Sequence, residues 1–516
     1  MKYTTIKTAS RSSLITLIVF IGLLLPSGIA KGAPLRAGIS KVNITNTEAG
    51  GLIRDSMYVR ALALDNGRTQ SFIISVDILW IDNILLDKVR SQLQQELNIN
   101  PATVLVNAMH LHSTRPERTD IDRFIVKAVK EAWKNRVPVN VGVGTGYEDR
   151  IQQNKRLKLK NGKEWEIRLA NALPPDQEVA GVTPVDAEIG ILRLDRKNGK
   201  NLAVVYNFAC HPTFELWKRF EVDMTGWEKV PTSADYPGYA CKVIENNLDE
   251  GAIALFIQGF GGDIISATYK DNNTLKDAEP WGNMLGLSTL QALENIECQN
   301  TGELKVVNRI IRLPRRTDLP QRIESLKAEQ EKLLESLRTT SLELKTFIPL
   351  YIMHFISPEY PSGGNHLYLH DKMMGRSNWE DLDYENKIKL DKYVQNIYAM
   401  EKLARIRENM YHLKRQMAIK EAAGEETIDV EIMGMKIGDF VIVTFPAEVH
   451  SGVGLSIKKM SPHEFTFTAG YTNGYINYAP TTEQFKGEDY SDINCQLAPE
   501  WQKIYEKEVM EILREL

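Results

Sequence analysis

The feature that most constrains this fold is an alternation of period. Short apolar runs rich in β-branched residues are followed by longer segments with helical spacing, from about residue 57 to about residue 296. Met57–Leu64 and Ser71–Val76 read as strands joined by Asn66-Gly67, a dipeptide that suits a tight hairpin turn because both residues tolerate positive φ. Ile84–Leu97 reads as an amphipathic helix, Thr103–Ala108 as a strand and Asp120–Trp133 as a helix. Ile189–Leu194, Leu202–Phe208 and Ala252–Ile257 read as further strands. This order favours an α/β class with mixed β-sheets flanked by helices.

Residues 320–425 break the pattern. Ile323, Leu326, Leu333, Leu334 and Leu337 have helical spacing, and a second, charged helix is expected from about Asp383 to Lys420. Phe347 to Asn378, rich in aromatics, Pro and Gly, is expected as a loop at the tip. The whole reads as a helical insertion, either a packing element or a lid over a cleft. Strands return at Glu431–Ile437, Asp439–Phe445 and Phe465–Ala469. No Pro/Ser/Gly-rich linker or internal repeat divides the chain, so residues 31–516 are expected as one domain.

The N-terminus has its own signature. Lys2, Lys7 and Arg11 precede an apolar run from Leu14 to Leu25, then small residues up to Ala30. This is the pattern of a signal peptide over residues 1–30, with a cut after Ala30 or Ala33. The run is shorter than the roughly 20 residues a spanning helix needs, and no later segment is long and apolar enough. The mature chain is therefore expected in a periplasm or outside the cell. A net charge of -4 without basic blocks argues against nucleic acid as a partner. Cys210, Cys241, Cys298 and Cys495 form no CxxC pair. Their spacing leaves any disulfide pairing open, although Cys210, in a strand-like run, reads as a buried thiol. The oligomeric state is not legible either.

The chemistry collects where strands end. Of nine histidines, His110, His112 and His211 follow predicted strands, as does Glu448. Open α/β sheets place their sites beyond the carboxyl ends of strands. On an extended segment His110 and His112, two apart, present their rings on one face. Two neutral imidazoles and a carboxylate form a common zinc set that leaves room for water and substrate. Each histidine alone reads first as a structural residue, and it is the coincidence of three after strands that points to a metal. His354, His366 and His370 form a looser group that the expected loop would hold poorly. No Gly-x-Ser-x-Gly elbow is present, and Gly259 to Gly262 lack the dinucleotide-binding spacing.

Seven segments in order resemble the neutral ceramidase family. Ala37-Gly38 through Asn43-Ile44-Thr45 resembles its AGxxxxDIT opening, and Asn107-Ala108-Met109-His110-Leu111-His112-Ser113 its SATHTHS segment. Asn207-Phe208-Ala209-Cys210-His211-Pro212-Thr213 and Asp235-Tyr236-Pro237-Gly238 match its second histidine motif and its DYPG string. Gln258 to Ile264 resembles QGxxGDI, Phe445-Pro446-Ala447-Glu448 the P-x-E strand, and Tyr478-Ala479-Pro480-Thr481-Thr482 YVTT. The resemblance implies a Zn2+ ion held by His110, His211, Glu448 and Tyr478. It implies His112 and Tyr490, twelve residues after Tyr478, as groups that stabilise an oxyanion or move a proton. Asp263 is expected either to orient a ligand imidazole or to cap a helix. Substrate contacts fall to the Asn154-Lys155-Arg156 segment, with Arg156 as its arginine, and to Ser266.

The sequence also departs from the family. The serine two positions after the aspartate of the GDxSP motif is Ile265 here, with Ser266 displaced by one, and from the short stretch after Tyr490 no C-terminal immunoglobulin-like domain of the family is expected. Three readings follow: a zinc amidase acting on an N-acylsphingosine or related lipid, a zinc hydrolase of the same fold acting on a glycan or other small polar molecule, and an exported binding protein without catalysis.

Overall fold

The computed structural model describes residues 34–48, 52–113, 118–167, 173–214, 231–266, 277–486 and 489–516. The expected signal peptide and both of its cut positions lie outside the described residues.

The first half of the chain builds an eight-stranded mixed sheet. Its strands are β1 (Arg36–Asn43), β2 (Tyr58–Asp65), β3 (Gln70–Val76), β4 (Val104–Ala108), β5 (Val137–Tyr147), β10 (Glu188–Arg196), β11 (Asn201–Phe208) and β12 (Ile253–Gln258), in the order β12-β11-β10-β5-β1-β2-β3-β4. Between β5 and β10 lie the short strands β6 (Gln152–Asn154), β7 (Arg156–Leu159), β8 (Glu164–Glu166) and β9 (Val179–Val182). The expected hairpin forms: β2 and β3 pair antiparallel, Gly67 takes φ 80°, and the Asn66 side chain accepts from the Arg68 and Thr69 amides. Both edge pairs, β3 with β4 and β11 with β12, are parallel.

Side chains alternate between two cores. Val59, Ala61, Phe72, Ile74, Val204, Tyr206 and Phe256 face a helical layer. That layer contains α1 (Asn83–Leu97), α2 (Ile121–Lys134), α3 (Asp235–Asn246) and α4 (Ala278–Leu293). Leu62, Leu64, Ile73, Val205 and Leu255 face the opposite way, onto Met433, Met435, Phe440, Ile442 and Phe467. Burial on both faces explains why these strands read as nearly continuous apolar runs. The short β13 (Ile264–Ser266), paired with β6, follows β12.

The surface under the second core is a four-stranded sheet of β14 (Leu304–Pro314), β15 (Thr427–Ile437), β16 (Phe440–Thr444) and β18 (Thr466–Ala469). The sheets approach closely enough that a Cβ on Gly190 would lie 2.3 Å from the Phe467 ring. Two further helices, Ser451–Met460 and Trp501–Glu515, cover the outer face through Val453, Ile457, Trp501, Tyr505 and Ile512. The result is four layers: helices, sheet, sheet, helices.

The insertion between β14 and β15 is helical, with more helix than expected. Helix α5 spans Leu319–Ser336, and the long helix begins at Asn378 and runs to Ala423, ending on Gly424 at φ 65°. The tip is not a loop. It holds α6 (Leu344–Ile356) and α7 (Asn365–Met373), so the long helix is α8. A capping box between Glu343 and Thr346 starts α6, and Phe347 stacks on Tyr393 of α8 at 4.4 Å. The helix α9 is Ser451–Met460, α10 is Tyr490–Ile493 and α11 is Trp501–Glu515.

Candidate metal centre

The site forms where the two sheets meet at one end. Asn107 in β4 donates to Gly470 O and Thr472 Oγ1 beyond β18, and Asn207 in β11 donates to Thr468 O. These side chains stitch the sheets together one turn before the histidines appear.

His110 follows β4 with φ 63°, so the segment is not extended there, as the sequence suggested. The left-handed turn, not a strand face, brings His110 and His112 together, with Nε2 atoms 3.3 Å apart. The His110 ring stacks on Tyr471 at 4.1 Å. His211 leaves β11 in the same direction, and the ring nitrogens of His110, His112 and His211 lie within 4.8 Å of one another. Two of these histidines are buried and His112 is half-buried. Among the described residues this is the one His/Cys/Asp/Glu group arranged to hold a metal ion. Glu448 lies on β17 (Glu448–Val449), paired in parallel with β19 (Tyr478–Ala479), which sets Glu448 beside Tyr478.

Hydrogen bonding decides the protonation pattern. A carbonyl only accepts, so His110 Nδ1 donates to Leu79 O at 2.9 Å, and His211 Nδ1 donates to Gly261 O and Ile264 O at 2.8 and 2.9 Å. That leaves the Nε2 atom of each ring as the one turned toward the site. Glu448 Oε2 lies 2.9 Å from His211 Nε2 and 3.5 Å from His110 Nε2. Two imidazole nitrogens and a carboxylate oxygen converge on one point. A cation placed there satisfies all of them, and the donor set of imidazole nitrogen and carboxylate oxygen suits zinc. Burial pushes His110 and His112 down, toward the neutral ligand form. Burial alone would raise Glu448, but His110 and His211 hold its carboxyl well below the usual range, as an anion.

The other oxygen of Glu448 is held separately. Tyr475 Oη donates to Oε1 at 2.5 Å, and the Tyr475 ring stacks on Trp80 at 5.1 Å with planes 10° apart. Neither Tyr475 nor Trp80 emerged from the sequence as a site residue. The trace they left in the sequence is the Asn- and Gly-containing run 471–477, in which Tyr471, Asn473 and Asn477 take positive φ in the structure.

The remaining expected residues divide. Tyr478 is half-buried, with the Lys155 ammonium 4.8 Å from its ring, and burial with Glu448 nearby keeps its phenol protonated. The Tyr490 ring lies 5.5 Å from that of Tyr478 and 5.2 Å from His412 of α8, so the insertion reaches the rim of the site. Arg156, expected to contact substrate, has its guanidinium engaged by carboxylates. It is buried in an ion cluster with Glu164 and Asp489, each at 2.7 Å, and Glu166 at 3.6 Å. Of the Asn154-Lys155-Arg156 segment, Lys155 lies nearest Tyr478 and is itself paired with Glu166 at 2.9 Å. Ser266 is buried, with its hydroxyl 2.8 Å from Thr213 Oγ1. Asp263 does not touch the His211 ring; the carbonyls flanking it, at 261 and 264, hold that imidazole. Its carboxylate accepts from Ser451 N at 2.7 Å at the start of α9, the helix-capping alternative.

The four cysteines are free thiols, with Cys210 buried. No described helix is long and apolar enough to cross a membrane. His354, His366 and His370 lie on α6 and α7, away from the histidine cluster.

No protein-family model and no curated protein sequence matches this chain. Solved structures do. The neutral ceramidase from Pseudomonas aeruginosa superposes with a TM-score of 0.59 at 15% identity, over 93% of this chain and 74% of that one. A ceramidase complexed with C2 gives a TM-score of 0.59 at 15% identity, over 94% and 76%. At that identity the likeness is one of fold.

Proposed function

We propose that this protein is an exported, zinc-dependent amide hydrolase acting on an N-acylated lipid. The observation that carries the reading is the convergence of His110 Nε2, His211 Nε2 and Glu448 Oε2 on one point, with both Nδ1 atoms committed to backbone carbonyls. The ceramidase fold supports the substrate class, and the signal-like N-terminus supports export. His110, His211 and Glu448 hold the metal, with Tyr478 as fourth ligand. A zinc ion held there supplies Lewis acidity, polarising a carbonyl and lowering the pKa of the attacking water.

The chain's own groups do the rest. His112, neutral and half-buried beside His110, takes a proton from the attacking water or donates a hydrogen bond to the developing oxyanion. Tyr490, on the insertion side, donates to the oxyanion or passes a proton to the leaving amine. Tyr475 holds the free oxygen of Glu448, so that the carboxylate presents one atom to the cluster. One observation favours a smaller or more polar substrate as a second reading: Ser266, the nearest serine to the family position, is turned into the core.

Metal analysis of the purified protein tests the first step, with about one zinc per chain expected, and with His110→Ala and Glu448→Ala losing both metal and activity. A protein that holds no metal refutes the reading. Hydrolysis of a fluorescent short-chain ceramide by zinc-loaded protein tests the substrate; no fatty acid released moves the assignment to the polar-substrate reading. N-terminal sequencing of the exported protein, expected to begin at Lys31 or Pro34, tests the route.

A further inference from the structure

Helix α6 is apolar on two sides. Phe347 is buried, and Leu350 and His354 are half-buried, on the side that packs along α8. The other side carries Leu344, Ile348, Tyr351, Ile352, Phe355 and Ile356, each between 45% and 79% exposed. At 100° per residue these six fall within a sector of about 140°, a continuous face and not a scatter. A helix that is apolar all round belongs inside a structure, yet among the described residues nothing covers this face.

Three observations indicate what covers it. Leu344, Ile348, Tyr351 and Phe355 are spaced four, three and four residues apart, the seam that packs knobs into the holes of another helix. Residues 338–392 carry seven Lys and Arg against eight Asp and Glu, so the tip lacks the basic excess that draws a helix to a membrane. Within α6 itself there is no acid and one lysine, Lys345, so charge does not oppose the approach of a like surface. The six side chains expose roughly 600 Å2, at the upper end for a monomer's largest apolar patch. That is close to the roughly 800 Å2 that each partner contributes to a stable interface.

We propose that α6 is a homodimerisation surface, pairing antiparallel with α6 of a second copy about a two-fold axis near Tyr351. A two-fold contact needs one self-complementary patch, which this face provides. The stacking of Phe347 on Tyr393 sets α6 some nineteen residues along α8 from His412, about 28 Å at 1.5 Å per residue. The dimer therefore leaves the metal centre open.

Analytical ultracentrifugation of the full mature chain over a wide concentration range tests this, with the double variant Ile348→Asp/Phe355→Asp beside it. The wild type should sediment as a dimer. The variant should be monomeric, its dissociation constant raised about 30-fold or more, with metal content, circular dichroism and hydrolytic activity unchanged. Tyr351→Cys should form a cross-linked dimer that the wild type does not. A wild type that stays monomeric throughout, or a variant that still dimerises, overturns the proposal. So does a monomeric wild type that floats with phosphatidylcholine vesicles while the variant does not, an outcome that assigns the face to a bilayer. Should the double variant lose its metal or its native circular dichroism, Ile352→Asp alone provides the same reading.

Discussion

Tyr475→Phe removes one hydroxyl from a site whose remaining contacts are untouched. In the wild type, Glu448 divides its oxygens: Oε2 faces the two histidines, and Oε1 accepts from Tyr475. Glu448 is buried, so water does not readily replace the lost donor. A hydrogen bond to a charged acceptor contributes about 1.5–3 kcal/mol. If most of that free energy orients the carboxylate, zinc affinity falls about 10- to 100-fold, the range found when an outer partner of a metal ligand is removed. The assay is competition for zinc against a chromophoric chelator, with the melting temperature of the metal-free protein measured alongside. Metal affinity should fall while metal-free stability changes by little. Trp80→Leu, which removes the ring stacked on Tyr475, should weaken zinc in the same direction but less, by about 3- to 10-fold for a stack of 0.5–1.5 kcal/mol. Unchanged zinc affinity in Tyr475→Phe would refute the reasoning, because Glu448 would then be held by something other than this bond.

Three further outcomes follow. Arg156→Met breaks a buried ion cluster and should destabilise the fold by about 3–5 kcal/mol while KM at a permissive temperature is unchanged; a tenfold rise in KM with an unchanged urea midpoint would restore Arg156 to substrate binding. Burial pushes Glu166 up, but Lys155, Arg156 and the Ser491 amide outweigh it and hold the carboxyl at about 2. Its stabilising contribution is therefore complete above about pH 4.5 and is lost as pH falls toward 2. Urea midpoints of wild type and Glu166→Gln should converge across that window and separate above it; a constant gap down to pH 2 would contradict the assignment. Removing zinc with a chelator should lower the melting temperature, and restoring it at 100 times its dissociation constant should add about 2.7 kcal/mol of stability; equal melting curves would place the metal outside the folded core.

Six strands of the first sheet were legible because burial on both faces leaves a nearly continuous apolar run, as in Leu202–Phe208. β5 of that sheet and β14 of the second were not. β5 carries Gly142, Gly144 and Gly146 on the face where Ile296 and Ala292 press close, so its strand pattern is interrupted by the residues its packing requires. β14 is partly exposed and carries Lys305, Asn308, Arg309 and Arg312, which break up its apolar pattern. At the insertion tip Pro349 and the run Pro358, Pro361, Gly363 and Gly364 signal turns, whereas the Glu343–Thr346 box and the Phe347–Tyr393 stack favour helix. At the site, strand ends located His110, His211 and Glu448. Arg156 and Ser266 were placed by family position alone, and their partners Asp489 and Thr213, 333 and 53 residues away, leave no local trace.

The seam between the two sheets sets an order of events for this chain. His110 and His211 hang from strands of one sheet, while Glu448 and Tyr478 follow strands of the other. Neither half alone brings the three groups to one point, so an ion held as proposed would be taken up only after the sheets have docked in register. Metal uptake would then report the last stage of assembly. Such an ion would work as a clasp: any motion that slides one sheet against the other would first have to break ligand bonds, and the two layers would open only as fast as the metal leaves.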